Sequence, residues 1–119
     1  MTKNNIITTK ISKTSKARAK HFKDFGESFI ENLKASKKDQ KLYLQIALED
    51  YEKEKNLENF LLALRTVAIA KGGFSDLAKK TNLNRQSLYK ALSTKGNPAL
   101  ATIGIILNGL GFKFAIQAI

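Results

Sequence analysis

Arg85 and Gln86 stand side by side at the start of a short helical stretch, with Tyr89 and Lys90 one turn further on. A guanidinium forks onto O6 and N7 of guanine, and a carboxamide pairs with N6 and N7 of adenine, so Arg85 and Gln86 carry the hydrogen-bonding geometry of base readers. Tyr89 suits a sugar, a thymine methyl or a phosphate. Lys90 and Lys95 are point charges for phosphates, and Asn84, Ser93 and Ser75 offer neutral polar groups to the same backbone. Ser75 adds the backbone N–H groups of a helix start.

Other chemistry is scarce. The chain has no cysteine, which excludes a disulfide framework, a thiolate nucleophile and a Cys-based zinc site. His21 is the single histidine and lies in a basic stretch without a carboxylate pattern around it, so it reads as a solvated side chain. Gly72-Gly73 follows no strand and reads as a helix stop rather than a phosphate loop. No catalytic residue, metal site or cofactor is expected, and no enzymatic activity.

The 119 residues carry 21 Lys+Arg against 10 Asp+Glu, a formal charge of +11. Such an excess speaks to association rather than to fold. Nucleic acid is the first candidate partner, an anionic membrane surface the second, and a lysine-rich soluble surface the plain alternative. Between Lys71 and Lys95 there are six basic residues and one acid, Asp76, so the local charge around the candidate readers is +5. The apolar run Phe60 to Ala70 contains Arg65 and falls short of the ~20 residues of a membrane span. With no signal-peptide core after Met1, a cytoplasmic location is expected.

The elements that must position these residues follow from periodicity. Residues 1–21 form a candidate disordered basic arm, poor in apolar residues; it either orders on a phosphate backbone or remains a solvated tail. Residues 22–119 form the candidate helical domain. Phe22, Phe25, Phe29, Ile30 and Leu33 fall on one helix face, with Gly26 weakening that helix. A second helix follows Lys37-Lys38-Asp39, with Asp39 as candidate cap; its stripe is Tyr43, Leu44, Ala47, Leu48 and Tyr51. The third runs from Leu57 to about Lys71 on Leu57, Phe60, Leu61, Leu64, Val67 and Ala68. Three short helices are expected next, over Ser75–Thr81, Arg85–Ser93 and Ala99–Leu110, with Ser75 and Asn84 as N-caps and with Leu100, Ile103, Ile106, Leu107 and Leu110 as the buried stripe of the last. Alternation at Phe112, Phe114 and Ile116 signals a C-terminal strand. It can pair with an N-terminal segment, lie unpaired on the core, or pair with its copy across a two-fold axis. The acidic stretch Glu49–Glu58 is a solvated face or a docking patch for a basic partner.

Residues 74–93 have the spacing of a helix-turn-helix. Ala78 is small where two helices approach, Asn82 tolerates a left-handed turn, and Leu77, Leu83, Leu88 and Ala91 fill the wedge. Such a motif sets its second helix in the major groove and leaves Arg85, Gln86, Tyr89, Lys90 and Ser93 outward. A symmetric dimer on a palindromic operator is then expected, with Phe112, Phe114 and Ile116 as the dimerisation edge.

Several segments together resemble a known family. They are Tyr43-Leu-Gln-Ile-Ala-Leu-Glu-Asp, Phe60-Leu-Leu-Ala-Leu-Arg-Thr-Val-Ala, Gly72-Gly73, Leu88-Tyr-Lys-Ala-Leu-Ser and Gly96-Asn-Pro. These are similar to the addiction-module antidote family, HigA-like antitoxins with a Cro/cI-type (XRE) helix-turn-helix. The resemblance covers roughly residues 25–114. It implies an antitoxin of a type II toxin–antitoxin module that represses its own promoter as a dimer and neutralises an RNase-type, RelE/HigB-like toxin. It carries groove-facing roles onto Arg85, Gln86, Tyr89 and Lys90, and places no toxin-contacting residue. The charge of +11 departs from the acidic character expected of a partner for a basic nuclease. The overall expectation is an all-α bundle of five to six helices with a Cro/cI-like core and a short C-terminal strand. Its rivals are a phage-type or host repressor without a toxin, and an interaction adaptor that no longer reads DNA.

Overall fold

The computed structural model describes residues 28–119. Six helices account for its regular structure: α1 over 28–35, α2 Lys37–Glu54, α3 Leu57–Ala70, α4 Gly73–Thr81, α5 Arg85–Ala91 and α6 Leu100–Gly109. The basic arm over 1–21, His21 and the first apolar positions of the expected first helix lie outside the described residues.

α3 is the axis of the core. Its apolar residues recur on nearly every side, and Phe60, Leu61, Ala63, Leu64, Val67, Ala68 and Ala70 are all buried. A helix this apolar needs neighbours on several faces. It has α2 on one side, through Leu44 and Ala47, and α4 on another, through Phe74 and Leu77. α4 in turn holds both α5 and α6. Ile103, Ile106, Leu107 and Leu110 close the core from the α6 side.

Local chemistry sets the helix ends. Ser36, not Asp39, caps α2: its Oγ accepts from the Asp39 N–H at 3.1 Å. Asp39 falls in the first turn, where its carboxylate suits the positive end of the helix dipole. Ser75 is likewise no cap. Gly72 and Gly73 both take positive φ, 121° and 88°, so the chain stops α3 and re-enters a helix within two residues. Ser75 therefore lies inside the first turn of α4. Where α6 ends, Gly109 lies so close to α4 that a Cβ there would meet Thr81 Cγ2 at 2.6 Å and Leu77 Cδ1 at 2.9 Å.

The expected C-terminal strand is not formed; among the described residues there is no strand at all. A strand needs a ladder partner, and none of the described segments supplies one. Phe112 stays on the core, its N–H donating to the Leu107 carbonyl at 2.9 Å, while Phe114, Ile116 and Ile119 are exposed.

Candidate nucleic-acid interface

The turn between α4 and α5 fixes how the candidate readers are presented. Asn82 is left-handed, at φ 61° and ψ 18°, and its N–H donates to the Ala78 carbonyl at 3.0 Å. Thr81 binds both sides of the turn: its hydroxyl donates to the Leu77 carbonyl at 2.8 Å and accepts from the Leu83 N–H at 3.3 Å. Leu83 drops half-buried onto the core, and Asn84 Oδ1 accepts from the Ser87 N–H at 2.7 Å to start α5. The Asn82, Leu83 and Ser87 N–H groups thus each find a partner close by, which restrains the three-residue link.

α5 is short, and its apolar side is fully used. Leu88 and Leu92 are 0% exposed, and Ala91 is packed half-buried beside them. Arg85, Gln86, Ser87, Tyr89 and Lys90 are therefore left on the surface. Below them the chain turns tightly: Gly96 N–H donates to the Ser93 carbonyl at 2.9 Å, and any Cβ at Gly96 would collide with the Ala91 carbonyl.

The candidate residues are not equally free. Tyr89 remains 51% exposed, but its ring stacks on Phe74 of α4, centroids 4.5 Å apart and planes 24° from parallel. The Arg85 guanidinium lies 6.0 Å from the Tyr89 ring, at the outer reach of a cation–π contact. Phe74 and Tyr89 thus lead from the core to the surface, with Arg85 at the edge of the Tyr89 ring. Asn84 spends its oxygen on the cap and is otherwise exposed. Ser93 gives its hydroxyl hydrogen to the Lys90 carbonyl at 3.0 Å, which commits the one proton it would donate to a phosphate. Gln86, Lys90, Lys95 and Ser75 are exposed.

Two features escape sequence reasoning. Phe74 lies outside the expected wedge yet is the platform for Tyr89. Lys79 is exposed one turn beyond Ser75 on α4, a position that i,i+4 spacing marks. Lys80 is less available, because it pairs with Asp76 at 3.1 Å. Of the expected dimerisation residues, Phe112 is held by the core, whereas Phe114 and Ile116 are open, at 37% and 98% exposure.

Comparison with known proteins adds three findings. No solved structure matches the chain. An uncharacterized protein of Haemophilus influenzae is 36% identical over 74 residues, which cover 62% of this chain and 75% of that protein. A family model described as "Probable addiction module antidote protein" matches residues 28–118, the whole helical unit from α1 to the exposed tail. The chain belongs to this family of addiction-module antidotes, whose role is to counter a toxin.

Proposed function

We propose that this antidote is a DNA-binding antitoxin of a type II module, a homodimer that occupies a palindromic operator in its own promoter and neutralises an RNase-type, RelE/HigB-like toxin. The observation that carries the reading is the division of α5. Leu88 and Leu92 are entirely buried, and Arg85, Gln86 and Lys90 stand exposed on a rigidly capped seven-residue helix. A helix presented this way fits the major groove with its N-terminal residues on base edges. The charge of +11 supplies the attraction to phosphates.

The dimer draws support from the chain beyond Lys95, which carries Lys113 as its single charge. Two copies of so basic a protein approach each other best at a surface free of charge. The toxin reading draws on Glu49, Glu52, Glu54 and Glu58, exposed around the junction of α2 and α3 and opposite in sign to a basic nuclease. The test is a gel shift of the full chain on its own upstream region at two salt concentrations. A specific shift that weakens with salt is the expected result; no selectivity over unrelated duplex at either concentration rejects the reading in favour of an adaptor.

A further inference from the structure

Lys37, the first residue of α2, and Lys71, directly after α3, are far apart in sequence but share one aromatic ring. Their ammonium groups lie 5.5 Å and 6.0 Å from the centroid of Phe112. Lys71 Nζ also donates to Gln40 Oε1 at 3.4 Å. Gln40 is 3% exposed, and its Nε2 donates to the Leu33 carbonyl at 2.8 Å, so a buried amide holds the lysine head in place. Among the described residues neither lysine has a carboxylate partner, and the nearby Asp76 is taken by Lys80. Partial burial, and then the charges of Lys37 and Lys80, lower the pKa of Lys71 below the ordinary lysine value. The fold thus gathers like charges and anchors one of them, with no carboxylate paired to either lysine among the described residues.

We propose that Lys37 and Lys71, which share the Phe112 ring and of which Lys71 is held by Gln40, form a preorganised site for a backbone phosphate of duplex DNA, outside the bases met by α5. The proposal rests on the DNA-binding reading above. A phosphate close to both ammonium groups offsets the repulsion that Lys71 feels from Lys37, and lysine heads are point-charge binders that position a duplex without reading its sequence. The surrounding charge favours nucleic acid over an acidic protein segment. Lys71 leads through Gly72-Gly73 into α4, whose Lys80 adds its charge to that of Lys37 at Lys71 and whose Ser75 and Lys79 are exposed.

The test compares the full chain with its Lys37→Gln/Lys71→Gln variant on a duplex from its own upstream region, across about 50 to 200 mM salt. The plot of log affinity against log salt is expected to lose about one to two units of slope, with affinity near 0.1 M falling roughly tenfold or more. Base preference should stay unchanged. Lys53→Gln/Lys55→Gln, a matched loss of charge at the far end of α2, should keep the slope nearer to that of the parent. The thermal midpoint of the Lys37/Lys71 variant should hold or rise, since a repulsive pair is removed. An unchanged slope, with the parent bound to the duplex, overturns the phosphate site and leaves the DNA reading standing. A fallen midpoint with an unchanged slope makes the lysines supports for Phe112, and loss of toxin binding with the slope intact assigns them to a protein surface; either result also overturns the site. A parent chain that binds no duplex selectively brings down the DNA reading, and this site with it.

Discussion

Residues 73–95 and residues 96–119 are neighbours in sequence and opposites in surface chemistry. The first segment buries Phe74, Leu77, Leu88 and Leu92 and half-buries Leu83, and it exposes Arg85, Gln86, Lys79, Lys90 and Lys95. The second holds one charge, Lys113, yet contains five of the seven exposed large apolar residues described: Leu100, Ile105, Phe114, Ile116 and Ile119. Desolvation separates their uses. A polar, cationic face keeps its hydration until a polyanion displaces it, whereas an uncharged apolar face loses water at little cost against another apolar face. In the function proposed above, the first segment meets nucleic acid and the second meets another copy of the chain.

The largest effect expected from breaking this division is at Leu88. Truncating it to Ala removes the pin that seats α5 on α4 and costs about 2–5 kcal/mol, measured by urea unfolding. Duplex binding should fall with it. A loss below 1 kcal/mol would mean that α5 is not held by its buried side. On the other segment, Ile105→Lys places a charge on the exposed side of α6. The monomer should keep its unfolding midpoint to within about 0.5 kcal/mol, while dimer dissociation, followed by sedimentation, should rise about tenfold or more. An undisturbed dimer would move the interface away from α6.

A smaller change sharpens the account of α5. Asn84→Ala removes the side-chain cap on Ser87 N–H and should cost about 1 kcal/mol of stability. Retention of full stability would remove the cap from the list of devices that present Arg85. The smallest effect concerns Lys71. Its lowered pKa means that the folded state binds fewer protons than the unfolded chain between that value and the ordinary lysine value. Stability should therefore rise with pH across that window. The thermal midpoint of the parent relative to Lys71→Gln should climb as pH increases there; a flat difference would contradict the burial and repulsion placed on Lys71.

The sequence made the helices legible wherever a stripe faced a continuous core. Leu44 and Ala47 of α2, Phe60, Leu61, Leu64, Val67 and Ala68 of α3, and Ile103, Ile106, Leu107 and Leu110 of α6 are buried as their spacing predicts, and Tyr43, Leu48, Tyr51 and Leu57 are half-buried. Leu100, expected in the α6 stripe, is instead 71% exposed at the first residue of that helix. The turn was legible because Asn82 and Asn84 each have a backbone-specific task. Other features were hidden for physical reasons. Ser36 outcompetes Asp39 as a cap because the chain leaves α1 immediately before it, a junction that composition does not mark. Two consecutive left-handed glycines displace Ser75 into a helix turn. Alternation at Phe112, Phe114 and Ile116 says nothing about whether a pairing partner exists. Contacts between elements, such as Tyr89 on Phe74 or Lys37 and Lys71 over one ring, depend on tertiary packing that periodicity cannot encode.

The most direct test of the central claim measures the parent chain and Arg85→Ala against every single-base variant of the duplex protected in its upstream region. Discrimination of about 1–3 kcal/mol at one guanine is predicted for the parent, and its disappearance at that position alone for the variant, with an unchanged thermal midpoint. The same base profile for both proteins would contradict the assignment of α5 as the element that reads DNA.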